Sequence, residues 1–61
     1  MIKMVRKYHD KDEYDVAHES GRVIMYDADR LPKTAVRFME SAGDVRHRDD
    51  EFLGNITEYR V

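Results

Sequence analysis

The segment Asp27-Ala-Asp-Arg-Leu-Pro-Lys-Thr-Ala-Val-Arg-Phe-Met-Glu-Ser-Ala-Gly43 constrains the fold more than any other part of the chain. Leu31, Ala35, Phe38, Met39 and Ala42 fall at i, i+4, i+7, i+8 and i+11, one face of a 3.6-residue repeat. Lys33, Arg37, Glu40 and Ser41 lie mainly outside that stripe. Asp29 is the expected N-cap, because its carboxylate can accept the first free backbone N–H groups and suits the positive end of the helix dipole. Pro32 then sits in the first turn, where no backbone donor is needed. With Pro32 as the first helical residue, Leu31 would be the cap instead. Gly43 is the expected stop. A helix of about eleven residues is marginal alone and must be held by packing on a sheet.

Strand-like sequence flanks the helix. Met1 to His9 reads as a strand, with Ile2, Met4 and Tyr8 on one side and Lys3, Val5 and Lys7 on the other. Arg6 interrupts the apolar side, as an edge residue or with its stem laid over apolar surface. Asp10 to Glu13 is a polar turn without glycine. Tyr14 to Glu19 reads as a second strand, with Ser20-Gly21 as a tight turn after it. Arg22 to Asp27 is the third. Its centre, Val23-Ile24-Met25-Tyr26, is the most apolar run and is expected to be the central, most buried strand. Asp44 to Arg48 is a weak fourth strand, followed by a turn at Arg48 to Glu51. Phe52 to Val61 is the fifth, with a bulge expected at Gly54.

The fold class expected is therefore α+β: one small domain over residues 1–61, in the order β-β-β-α-β-β, an antiparallel sheet with one helix across one face. Strand pairing beyond the two N-terminal hairpins does not follow from the sequence. A chain of 61 residues has a thin core. Such domains usually lean on disulfides, a metal or a partner subunit. There is no cysteine, which removes disulfides and thiolate metal sites. That leaves unaided folding or self-association, and a homodimer is the expectation. No apolar run approaches the ~20 residues of a membrane span. No apolar segment follows the charged N-terminus, so a cytoplasmic location is expected.

Charge limits the partners. Eleven basic and thirteen acidic residues are interleaved, so neither a basic stripe for nucleic acid nor a one-sign acidic surface is present. His9, His18 and His47 have no local ligand spacing, although His9 and His18 can face each other across the first hairpin. They are read as structural or surface histidines. Asp10, Asp12 and Asp15 resemble the opening of a calcium loop but lack its glycine and closing glutamate, so a solvated turn is the better explanation. His47-Arg48-Asp49 spells a kinase tripeptide without the domain that gives it meaning. Met25 and Met39 are expected in the core, and Met4 at an interface. No cofactor, metal or catalytic group is expected.

The leading expectation is a non-enzymatic protein-interaction module: a small inhibitor, adaptor or regulator. Small free-standing chains of this kind are often carried by phage or mobile elements, an association rather than a physical deduction. The chain carries Arg, Tyr, Met and Phe throughout, types enriched at interfaces. Arg37, Arg46, Arg48, Phe52 and Tyr59 are the expected partner-binding residues. The alternative is a nucleic-acid-binding regulator, with Arg30, Lys33 and Arg37 of the helix joining Arg46 and Arg48 in one basic surface. The acidic run Asp49-Asp50-Glu51 counts against it.

Overall fold

A computed structural model describes all 61 residues. Its elements are β1 (Ile2–Tyr8), β2 (Glu13–His18), β3 (Val23–Asp27), a single 3-10 turn (Ala28–Arg30), α1 (Lys33–Glu40), β4 (Asp44–Asp50) and β5 (Gly54–Arg60). All strand pairs are antiparallel, in the order β3-β2-β1-β5-β4. The expected α+β class and element order are observed. No helix is long and apolar enough to cross a membrane.

Strand order corrects the expected centre of the sheet. β1 pairs with both β2 and β5, so it is the central strand, while the apolar β3 lies at an edge. Val23 and Met25 are 58% and 63% exposed. An apolar run reports that a strand has something to cover, not which neighbours flank it. Met25 is therefore not a core residue, whereas Met39 packs against the core as expected.

The core lies between α1 and one face of the sheet. Val5, Val16 and Ala35 are fully buried there, ringed by Ile2, Tyr14, Tyr26, Leu31, Phe38, Met39 and Tyr59. The apolar side of β1 is thus the one carrying Val5, not the one carrying Met4 and Tyr8. Ile2 joins Val5 because the register between β1 and β2 shifts at Ile2/Met4, pairing Ile2 with His18. The extra residue at this bulge, Lys3, turns the strand's first side chain to the opposite face.

The helix is shorter than expected, at eight residues, and starts differently. Pro32 itself occupies the N-cap position, with extended backbone, and no side chain caps the helix N-terminus. A residue before proline is pushed out of the helical region, so Leu31 is extended and cannot carry a helix back to Asp29. Asp29 lies instead in the 3-10 turn. Its first N–H, that of Ala28, is bound by the carbonyl of Asp12 at 3.0 Å. At the other end Gly43 does not adopt a left-handed conformation. The helix stops at Ser41, whose hydroxyl donates to the carbonyls of Arg37 and Phe38.

β4 is longer than expected, pairing with β5 from Asp44 to Asp50. The turn falls at Glu51–Leu53, where the Asp50 carboxylate accepts the N–H groups of Phe52 (2.8 Å) and Leu53 (2.9 Å). Those two bonds, with Arg48 nearby, hold the Asp50 carboxyl below its usual range. Phe52 is therefore in the turn rather than in β5. Gly54 makes no bulge. It begins β5 at φ +80°, and a β-carbon there would overlap the carboxylate of Asp10 from the first hairpin turn.

Candidate interaction surface

Residues opposed in an antiparallel pair share a face, so the registers fix what the bare side of the sheet displays. Three rows cross it from β4 to β3. They are Asp44–Arg60–Met4–Ala17–Val23, Arg46–Glu58–Arg6–Asp15–Met25 and Arg48–Ile56–Tyr8–Glu13–Asp27. The middle row alternates in charge across four strands and ends in an exposed methionine.

Glu58 is the hub of this lattice. Its Oε2 accepts a hydrogen bond from Arg6 Nε at 2.7 Å and lies 2.7 Å from Arg6 Nη2 in an ion pair, and the carboxylate lies 3.5 Å from Arg60 and 3.9 Å from Arg48. Burial pushes the Glu58 carboxyl up, but Arg6, Arg60 and Arg48 outweigh it and leave the group below its usual range. Arg6 also donates to the Tyr8 hydroxyl, which donates to Asp15 at 2.8 Å. The Tyr8 hydroxyl is raised, first by burial and further by Asp15, against the opposing pull of Arg6. These bonds fix the middle of the face, whereas Arg46 (with Asp44) and Arg48 (with Asp50) keep looser pairs of 3.3 Å at its rim.

Arg46 and Arg48 thus meet on the bare face. The other expected residues do not join them. Tyr59 lies on the opposite side of the sheet, half-buried against the core beneath α1. Arg37 is exposed on the helix, and Phe52, 89% exposed, projects from the β4–β5 turn. Arg30, Lys33 and Arg37 belong to the helix side of the molecule, so the single basic surface expected to unite them with Arg46 and Arg48 does not form. On the bare face, Arg6, Arg46, Arg48 and Arg60 are interspersed with Asp15, Asp44, Asp50 and Glu58.

The histidines are also rearranged. His18 pairs with Ile2, away from His9. His9 meets His47 instead: Nε2 of His9 and Nδ1 of His47 lie 2.7 and 2.8 Å from the same Thr57 hydroxyl. The hydroxyl has one proton, so with both rings neutral it donates to one ring and accepts from the other. A hollow of about 500 Å³ opens here, lined by His9, His47, Asp49, Asn55 and Thr57 among others. Imidazole beside hydroxyl is the spacing of a base and a nucleophile. Here, however, Thr57 is 1% exposed and its oxygen already serves both rings. Asp10, Asp12 and Asp15 do not assemble either: Asp15 bonds Tyr8 on the bare face, and Asp10 lies against Gly54.

Sequence reasoning missed Arg6, Glu58 and Arg60 as a unit, and Val23 and Met25 as surface. Alternation alone places Arg6 with Tyr8, and Glu58 with Arg60, on common faces. Joining the two pairs requires knowing that β1 lies beside β5. Comparison with protein-family models, with curated proteins and with solved structures found no match.

Proposed function

We propose that this chain is a non-enzymatic protein-interaction module, a small inhibitor, adaptor or regulator working in the cytoplasm through the bare face of its sheet. One observation carries it. The face alternates in charge from Arg46 to Asp15, with its centre already fixed by ion pairs and hydrogen bonds. A pre-ordered surface loses little freedom on binding, which favours a partner of matching shape and charge. Alternating charge suits another protein surface better than a polyanion, whose phosphates call for one sign over many contacts.

The test is a pull-down with the tagged chain, with and without nuclease, beside an Arg46→Glu/Arg60→Glu variant. Both substitutions lie on the bare face and leave the apolar core untouched. One protein retained near-stoichiometrically after nuclease, and lost with the variant, supports the proposal. Recovery that disappears with nuclease turns the assignment to nucleic acid. A protein retained equally by the variant removes the bare face from the interaction.

A further inference from the structure

The two ends of the sheet are not equally protected. On β4 the sequence Asp-Val-Arg-His-Arg-Asp-Asp places charge at most positions of the edge, a common defence against pairing with another chain. β3, Val-Ile-Met-Tyr-Asp, carries no lysine, no proline and no register shift against β2. Two of its three exposed side chains, Val23 and Met25, are apolar, with Asp27 at the strand end, and α1 lies mainly over β1 and β5, away from it.

The hydrogen-bond parity of β3 can be read from the bonds that bracket it. His18 N–H donates to the Arg22 carbonyl at 2.8 Å, and Ala28 N–H to the Asp12 carbonyl at 3.0 Å. Antiparallel ladders alternate, so Arg22, Ile24, Tyr26 and Ala28 turn their backbone groups toward β2. The N–H and C=O groups of Val23, Met25 and Asp27 therefore point off the sheet. The residues with unpaired backbone include the two with the exposed apolar side chains.

We infer that the partner of this edge is a second copy of β3, paired antiparallel about a two-fold axis to give one ten-stranded sheet. Only registers that oppose odd-numbered residues bring the outward groups together. With the axis at Ile24, Val23 of each copy faces Met25 of the other, and four exposed apolar side chains form one patch on the bare face. With the axis at Met25, Val23 would face Asp27. Apolar matching selects the Ile24-centred register. In that register Arg22 opposes Tyr26 of the other copy and Asp27 opposes Gly21, so no like charges meet directly across the seam. A five-residue edge is a small interface, and the dimer belongs in the micromolar range. This inference is independent of what docks on the bare face.

Light scattering at micromolar to high-micromolar concentration tests it, with Met25→Lys as the variant and circular dichroism to show that the variant is folded. The expected mass is twice the 7.3 kDa of one chain, returning to a single chain with Met25→Lys. The chain has no cysteine, so Ile24→Cys and Met25→Cys report the register. Oxidation should cross-link the first more completely than the second, because residue 24 opposes its own copy across the axis in a non-hydrogen-bonded pair, whereas residue 25 opposes Val23. A monomeric wild type, or a dimer indifferent to Met25→Lys, overturns the inference. A monomer whose Met25→Lys variant loses a bound protein also overturns it and gives the edge to that protein.

Discussion

On the helix side of the sheet, Val5 and Val16 are sealed by Ala35 and a ring of apolar side chains, with a helix as the lid. On the other side Ile56 is 1% exposed and Glu58 8%, with no element covering them. Their cover comes from within the sheet. Ile56 lies in register between Tyr8 and Arg48, and Glu58 between Arg46 and Arg6. Long side chains lay their stems over neighbours and are held down by their charged ends. One face is closed by apolar contact, which acts without direction and is little affected by salt or pH. The other is closed by a charge lattice and responds to both.

Truncating the apolar side should have the largest effect. Val5→Ala removes two methyl groups from the central strand, directly beneath a helix that has no side-chain cap at its N-terminus. The expected loss is about 2–3 kcal/mol, from lost burial and the cavity left behind. Urea unfolding measures it. A loss below about 1 kcal/mol would mean that this face collapses around the gap and that the helix is not held by the site described.

The lattice should give a smaller and pH-dependent effect. Glu58→Gln keeps the shape but leaves Arg6, Arg48 and Arg60 around a neutral group. Removing one member of a buried pair costs about 3–5 kcal/mol; partial exposure of these arginines reduces that to about 1–2 kcal/mol. The sign with pH follows from the lowered Glu58 carboxyl. Above the ordinary glutamate value of about 4.3 the full increment is present in the wild type. As pH falls further, the unfolded chain takes up a proton that folded Glu58 resists, and the increment is lost. The wild type and the variant should therefore converge in acid and separate from about pH 5 upward. A gap independent of pH would make the role of Glu58 one of shape rather than charge.

How much of this was legible in the sequence depends on whether the signal was local. The helix face through Ala35, Phe38 and Met39 and the strand alternation were readable because each repeats within one segment, although Leu31 and Ala42 fall outside the helix. The helix start was misplaced for a local reason that had been available: Pro32 forbids Leu31 the helical region, which disconnects Asp29. Strand order was not available, because Met4↔Arg60 and Arg6↔Glu58 join residues more than fifty positions apart. Everything that depended on order went with it: the edge position of β3, the exposure of Met25, the burial of Tyr59 and the Glu58 hub. Arg46 and Arg48 were placed on one face correctly, since they are alternate residues of one strand. Their separation from Arg37 needed the side on which the helix packs.

The smallest effect gives the sharpest comparison within the lattice. Arg46 and Arg6 flank the same Glu58 in register, one on β4 and one on β1. Arg6 is 27% exposed and bonds Glu58 at 2.7 Å, whereas the Arg46 side chain is 69% exposed and pairs only with Asp44, at 3.3 Å. Arg46→Ala should leave stability within about 0.5 kcal/mol, as for most exposed pairs. Arg6→Ala removes the same charge and should cost clearly more, because it unpairs a buried carboxylate and frees Tyr8 from one partner. Thermal melts of the two variants side by side decide the point. Equal losses would mean that the charge counts wherever it sits on the face. Unequal losses in the expected order separate a fixed centre, which holds the sheet, from a rim arginine whose guanidinium is free to meet a partner.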